Sequence, residues 1–256
     1  MGVLMHLSDL HFGAHDPRVC AAVHALARRL DVAMVVVSGD LTQRATARQF
    51  DAAHDFIAGL PAPSTLVLPG NHDLPLFAWW ERLGHAYRRY ARWWDDDLEP
   101  VCDAGGFFVV GVNTTRPWRH QRGSLSRAQI DAAARRLAAA PPDRWRIVVT
   151  HHPLAARHAR DAEHRPHRAA EALARWREAG AALLLSGHAH EPGLGEALPG
   201  LWTAHAGTAV SVRLRAQAPN SLITLEERAG KRCLTRWDFD LAEGGFVPHP
   251  GGPLSM

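Results

Sequence analysis

The chain is nearly devoid of lysine and poor in cysteine. Lys231 is its one lysine, so almost every basic side chain is an arginine. Codon bias is the expected cause, and the guanidinium fork gains meaning only at positions where it could meet phosphate. Three widely spaced cysteines, Cys20, Cys102 and Cys233, exclude a disulfide framework and lack the C-x-x-C spacing of a zinc site. They are expected as small, largely buried residues in a reducing compartment. No apolar run approaches the roughly 18 residues needed to span a bilayer. Met1 runs through Val3-Leu4-Met5 to Asp9 with no basic segment or long apolar stretch before it. No secretory signal is therefore expected, and cytoplasmic residence is the default. There is no G-x-x-x-x-G-K-[ST], G-x-G-x-x-G or H-E-x-x-H element, which excludes a nucleotide-driven motor, a dinucleotide dehydrogenase and a zincin protease. Strong charge of one sign is missing too: 29 basic against 26 acidic residues give +3, too little to expect dedicated nucleic-acid binding.

What is present is a chain of 256 residues, 46% of them hydrophobic, enough for one large α/β domain. Strands are expected at Val3–Leu7, Ala33–Val37, Thr65–Leu68, Phe107–Val112, Ile147–Val149 and Ala182–Leu185. Helices are expected at Pro17–Leu30, Thr46–Ala58, Ser126–Ala139 and His167–Ala179. After His190 the helices stop, and Trp202–Ala206, Thr208–Arg213, Ser221–Glu226 and Cys233–Phe239 carry consecutive strand patterns. Two face-to-face mixed β-sheets flanked by helices, a four-layer αββα sandwich, accommodate this order. The domain spans residues 1–243, and the Gly- and Pro-rich tail 244–256 is expected to be irregular. Within it, residues 76–100 form a possible cap or dimerisation insertion. Phe77, Trp80, Leu83, Tyr87, Tyr90 and Trp94 recur there at helical spacing, which also fits an amphipathic helix packed on the domain.

Seventeen histidines stand out, and their placement matters more than their number. Five expected strands end in ligand-type side chains: Asp9-Leu10-His11, Gly39-Asp40, Gly70-Asn71-His72-Asp73, Thr150-His151-His152-Pro153 and Gly187-His188-Ala189-His190. In open α/β sheets, sites gather at such ends. Each block alone is an ordinary turn. Together they would bury carboxylates and imidazoles at one place, which is costly unless a cation neutralises them. Aspartate, asparagine and histidine without cysteine suit manganese, iron or zinc. They are too many for one four-coordinate ion and enough for two that share a carboxylate.

Read as D-x-H, G-D, G-N-H-D, H-H-P and G-H-x-H, these blocks resemble the calcineurin-like metallophosphoesterase superfamily, from Val3 to about Thr208. Asn113-Thr114 and Gly123-Ser124-Leu125, before a helix containing Gln129, resemble the bacterial class III cyclic-nucleotide phosphodiesterases. The resemblance implies Asp9, His11, Asp40 and His190 around one divalent ion and Asp40, Asn71, His151 and His188 around a second. It implies His72 as the catalytic histidine, with Asp73 accepting a hydrogen bond from it, and His152 in a supporting role. Asn113, Arg116, His120 and His205 are candidate substrate contacts, with Arg119 a further phosphate contact. The implied activity is hydrolysis of a small phosphate ester, such as a cyclic nucleotide or other diester. A monoester, a phospholipid-directed ester and a non-catalytic metal-binding scaffold remain as alternatives, and a homodimer is possible.

Overall fold

The computed structural model describes residues 2–76, 78–119, 121–155, 165–215, 218–252 and 254–255. Among these, the two-residue period of the strands sorts apolar side chains into separate layers. In β1 (Val3–Leu7), Met5 and Leu7 face one way and Leu4 the other; in β2 (Val32–Val37), Val35 and Val37 oppose Met34 and Val36. That is the alternation of strands covered on both faces. The first set packs against Val19, Val23 and Leu26 of α1 (Pro17–Leu30) and Phe50, Phe56 and Ile57 of α2 (Ala47–Ala58). The second set meets Val109 of β5 (Phe107–Gly111), Ile147 of β6 (Trp145–Val149) and Leu183 and Leu185 of β7 (Leu183–Ser186). The opposite faces of β5, β6 and β7, through Val110, Val148 and Leu184, pack on α5 (Arg127–Ala138) and α6 (Ala169–Glu178). The result is helix, sheet, sheet, helix, as expected.

The first sheet runs β12-β11-β10-β1-β2-β3, with β13 also on β11. Here β3 is Ser64–Val67, β10 Ser221–Arg228, β11 Lys231–Asp240, β12 Gly245–Pro248 and β13 Leu254–Ser255. The β1·β2 and β2·β3 pairings are parallel, and the others in this sheet are antiparallel. The second sheet runs β4-β5-β6-β7-β9-β8, where β4 is Val101–Ala104, β8 Gly193–Leu198 and β9 Leu201–His205. Its four inner strands are parallel and its two edges antiparallel.

Local chemistry sets the helix starts. Asp16 caps α1 ahead of Pro17, Thr46 caps α2, and Ser126 with Gln129 forms a capping box on α5. Trp176 of α6 is fully buried and donates to the carbonyl of Ile130 in α5. Truncating it to alanine would cost about 3–5 kcal/mol. All three cysteines are free.

Three expectations fail. The tail is not irregular. β12 extends the first sheet, with Phe246 opposite Phe239 and buried in the layer under α1; the two phenylalanines outweigh the surrounding glycines and prolines. The aromatic segment is not one helix. It forms two short helices, α3 (Trp79–Gly84) and α4 (Arg88–Ala91), broken at His85. Trp93 and Trp94 pack on Phe50, and Tyr90 donates to the carbonyl of Val67, so tertiary anchoring decides its path. Phe77 lies outside the described residues. Thr208–Arg213 is a loop rather than a strand. It crosses the ends of the first sheet, donating from Ala209 to the carbonyl of Ser8 and from Val212 to that of Ala14.

Candidate metal centre

Five ligand-type residues adopt the left-handed backbone that side chains other than glycine usually avoid: Asp9 (φ 52°), His11 (46°), Asp40 (53°), His188 (67°) and His190 (58°). Such conformations persist where surrounding structure overrides a cost on the order of 1–3 kcal/mol each, typically at functional sites. They let the chain turn sharply off a strand and aim its side chain across the sheet ends. Neighbouring glycines allow the crowding. A Cβ on Gly70 would lie 2.1 Å from the amide nitrogen of Asp40, and one on Gly187 would lie 2.4 Å from Oδ2 of Asp9.

The strand ends of both sheets converge. Asp9, His11, Asp40 and His190 form one group whose ligand atoms all lie within 4.8 Å of one another, and Asp40, His151 and His188 form a second. Asp40 belongs to both. Its Oδ2 lies 3.7 Å from His11 Nε2 and its Oδ1 3.3 Å from His151 Nε2. Asn71 joins the second group, with Oδ1 at 3.1 Å from His151 Nε2 and 3.0 Å from His188 Nδ1. The seven expected ligands thus come together, and all but His188 are buried.

Backbone carbonyls set two of the rings. His151 Nδ1 sits 2.9 Å from the carbonyl of Ser38, and His190 Nδ1 2.9 Å from that of Arg213. A carbonyl only accepts, so each Nδ1 carries the proton and each neutral ring turns a lone pair on Nε2 inward. Asp9 is held from behind. Its Oδ2 accepts from Ser8 Oγ and the His188 amide, while its Oδ1 faces His190 Nε2 at 3.2 Å. Behind it runs a buried chain. Ser38 donates to Ser8 and Ser8 to Asp9, so His6 Nε2, 2.9 Å from Ser38 Oγ, must be the donor that starts it.

The electrostatics follow. Burial would raise the Asp9 carboxyl, but His190, then His151 and His11, hold it well below the usual range. Burial likewise opposes ionisation of Asp40, yet His151, His72 and His11 bring it down to about 2. Burial pushes His11 down to about 4 and His6 to about 3. His190 moves upward, burial notwithstanding, because of Asp9.

These residues fit a pair of cations. Asp9 Oδ1 is buried with no hydrogen-bond donor. His11 Nε2 and His190 Nε2 lie 3.0 Å apart within the first ligand group, close enough for one ion to take both. The donor set is of oxygen and imidazole nitrogen, suited to divalent manganese, iron or zinc.

His72 lies beside the cluster, its amide donating to Asp40 Oδ1. Its orientation differs from the expectation. Nδ1 meets the carbonyl of Gln43 at 3.1 Å. The Asp73 carboxylate is occupied by the amides of Leu41, Thr42 and Gly70 and the Thr42 hydroxyl. Asp73 therefore knots the second and third ligand loops together, and Gln43 orients His72. Burial, reinforced by Asp40, pushes Asp73 up to about 7 against those donors.

The candidate substrate contacts fare less well. Asn113 turns its Oδ1 back onto Thr115, closing a local turn. The Arg116 guanidinium bonds the carbonyls of Asn113 and Thr115 and the Gln129 side chain, stapling the loop to α5. His205 is buried against Ser186 and lines a separate cavity of about 210 Å³ with Leu194, Ile223, Leu234 and Arg236. Arg119 is exposed. His120 lies outside the described residues. His152 pairs with Thr114 and packs on His188 at 4.5 Å between ring centroids, a supporting position. One residue escaped sequence reasoning: Arg213, whose Nη1 lies 3.4 Å from both His11 Nδ1 and His72 Nε2. It was hidden in a segment of strand-like composition outside every ligand block.

Residues 2–192 match the family model described as calcineurin-like phosphoesterase. Over 158 residues the chain is 31% identical to a probable cyclic nucleotide phosphodiesterase of Rhodopseudomonas palustris, covering 57% of this chain and 56% of that one. The chain thus spans little more than half the length of that relative. A purple acid phosphatase from yellow lupin superposes with a TM-score of 0.73 at 13% identity, over 96% of this chain and 52% of that one. A dimetal phosphatase from Danio rerio superposes with a TM-score of 0.70 at 13% identity, over 100% of this chain and 98% of the other. At that identity the two structures speak for the fold alone.

Proposed function

The chain belongs to the calcineurin-like phosphoesterase family, and from that premise we propose that it is a dinuclear-metal hydrolase of phosphate esters, acting as a phosphodiesterase on a cyclic nucleotide or other small diester. The observation that carries this reading is the shared carboxylate of Asp40, which stands between two complete ligand groups with His72 at its side.

In this reading Asp9, His11, Asp40 and His190 hold one ion, and Asp40, Asn71, His151 and His188 hold the other. When bound, two such ions supply Lewis acidity toward the phosphoryl oxygens and toward the attacking water. The chain's own residues do the rest. Ser38 and Arg213 fix the inward lone pairs of His151 and His190 through their carbonyls. Gln43 anchors His72 at Nδ1 through its carbonyl, so that the ring, once it also carries a proton on Nε2, can pass that proton to the leaving oxygen as the bond from phosphorus breaks. Ser8 and the His188 amide keep Asp9 from rotating away. The class III resemblance and the Rhodopseudomonas relative support the diester preference. Within the same family a monoester is the alternative.

The test is a hydrolysis panel with added Mn²⁺: bis-(p-nitrophenyl) phosphate, p-nitrophenyl phosphate, cyclic nucleotides and glycerophosphodiesters. Preference for diesters is expected. Turnover of monoesters alone would move the protein to the phosphatases. No turnover at all, with fewer than two metal equivalents bound, would make it a scaffold.

A further inference from the structure

We propose that Arg213 binds the phosphoryl oxygens of the substrate and stabilises the charge that develops on them, an inference resting on the phosphoesterase reading above. Nη1 of Arg213 lies 3.2 Å from Gln43 Oε1 and 3.4 Å from both His72 Nε2 and His11 Nδ1. The guanidinium is therefore held over the edge of the first ligand group, next to the His72 ring.

Its position is built. The Arg213 amide donates to Ser211 Oγ, which donates to the carbonyl of Ala14, and Val212 donates to the same carbonyl. This loop rides on the segment just after Asp9 and His11. The Arg213 carbonyl anchors His190, so guanidinium and metal ligand share one backbone unit. Gln43 serves both partners: its carbonyl takes His72 Nδ1 and its Oε1 takes Arg213. With Nδ1 protonated, neutral His72 turns a lone pair on Nε2 toward Nη1.

Charge says what belongs there. A guanidinium is permanently cationic. The two carboxylates of the ligand groups, Asp9 and the shared Asp40, would offset only half the charge of two divalent ions. A further cation placed beside them is repelled unless an anion lies between, and a planar fork of N–H donors is the side chain suited to phosphate. Substrate binding would turn the Arg213 N–H from the His72 lone pair to a phosphoryl oxygen, and Nε2 could then take up a proton from solvent to give to the leaving oxygen.

The experiment compares wild type, Arg213→Ala, Arg213→Lys and Arg213→Met, each loaded with Mn²⁺ and checked for metal content. Turnover of bis-(p-nitrophenyl) phosphate is measured, along with calorimetric binding of inorganic phosphate. Arg213→Ala and Arg213→Met are expected to keep both metals and lose about 10²-fold in kcat/KM, the scale for one donor to a developing oxyanion. Phosphate affinity should fall about tenfold or more, and Arg213→Lys should recover part of both, because a point charge replaces a fork. Activity and phosphate affinity unchanged in Arg213→Met would overturn the proposal. Loss of metal in both uncharged variants would overturn it too, assigning Arg213 to holding His190. A wild type that binds two metals and turns nothing over would instead sink the phosphoesterase reading itself.

Discussion

Nε2 of His11 and Nε2 of His190 face each other at 3.0 Å across the buried Asp9 carboxylate. Burial drives His11 down to about 4, while Asp9 raises His190. The two shifts favour a proton of this pair on His190 over one on His11.

Metal must displace that proton. Below the raised pKa of His190, loading is expected to release about one proton at the first site, and affinity should climb as pH rises through that value. The linkage for the metal-free fold runs the other way. A raised histidine contributes stability fully below its unfolded value and loses it as pH rises through the folded one. Calorimetry in two buffers of different ionisation heat is the measure; equal heats in both would refute the proton release.

Asp40→Ala removes a ligand from both groups at once. Metal content measured on the purified protein should fall from two equivalents to nearly none, and activity with it. Retention of one tight ion would show that the two groups do not depend on the shared carboxylate.

His72→Ala should bind metals normally yet lose about 10²–10⁴-fold in kcat, the usual scale for a proton-transferring group. Full activity in the metal-loaded variant would remove His72 from the chemistry.

The donor chain from His6 through Ser38 and Ser8 to Asp9 gives a test remote from the ions. Ser38→Ala leaves the His6 N–H buried without its acceptor and unfastens Ser8, at about 1–3 kcal/mol of stability. Because Asp9 is then less firmly oriented, metal affinity should drop about 10–100-fold. Thermal melts and metal titrations report the two effects separately, and an unchanged titration would confine the chain to a folding role.

Asp73→Asn should destabilise the fold by about 1–3 kcal/mol, since one amide donor would confront the N–H groups of Leu41, Thr42 or Gly70. It should barely touch kcat of the folded, metal-loaded protein. A kcat defect as deep as that of His72→Ala would return Asp73 to the catalytic role expected from sequence.

The layers and the ligands were legible because each follows a rule confined to one strand. Leu4 against Met5 and Leu183 against Leu184 alternate as strands covered on both faces must, and each ligand block sits just past such a run. What escaped were contacts made by distant parts of the chain. Gln43 reaches His72 across 29 positions, and Arg213 reaches His11 across 202; no local spacing encodes either. Asn113 and Arg116 misled for the opposite reason. They are polar and follow a strand, but their groups are spent on one another and on Gln129. β12 was missed because Phe246 alone, among glycines and prolines, carries its pairing with Phe239.

The left-handed backbone at Asp9, His11, Asp40, His188 and His190 puts affinity and robustness in opposition. An L-residue is needed there for its side chain, whereas the main chain would relax most readily around glycine. Replacing any of these five with glycine should yield a protein that melts later than its alanine counterpart while being equally unable to hold its ion. The folded molecule thus carries a standing tension that bound ions would offset by binding the native state alone, and the metal-free protein should be its least stable form.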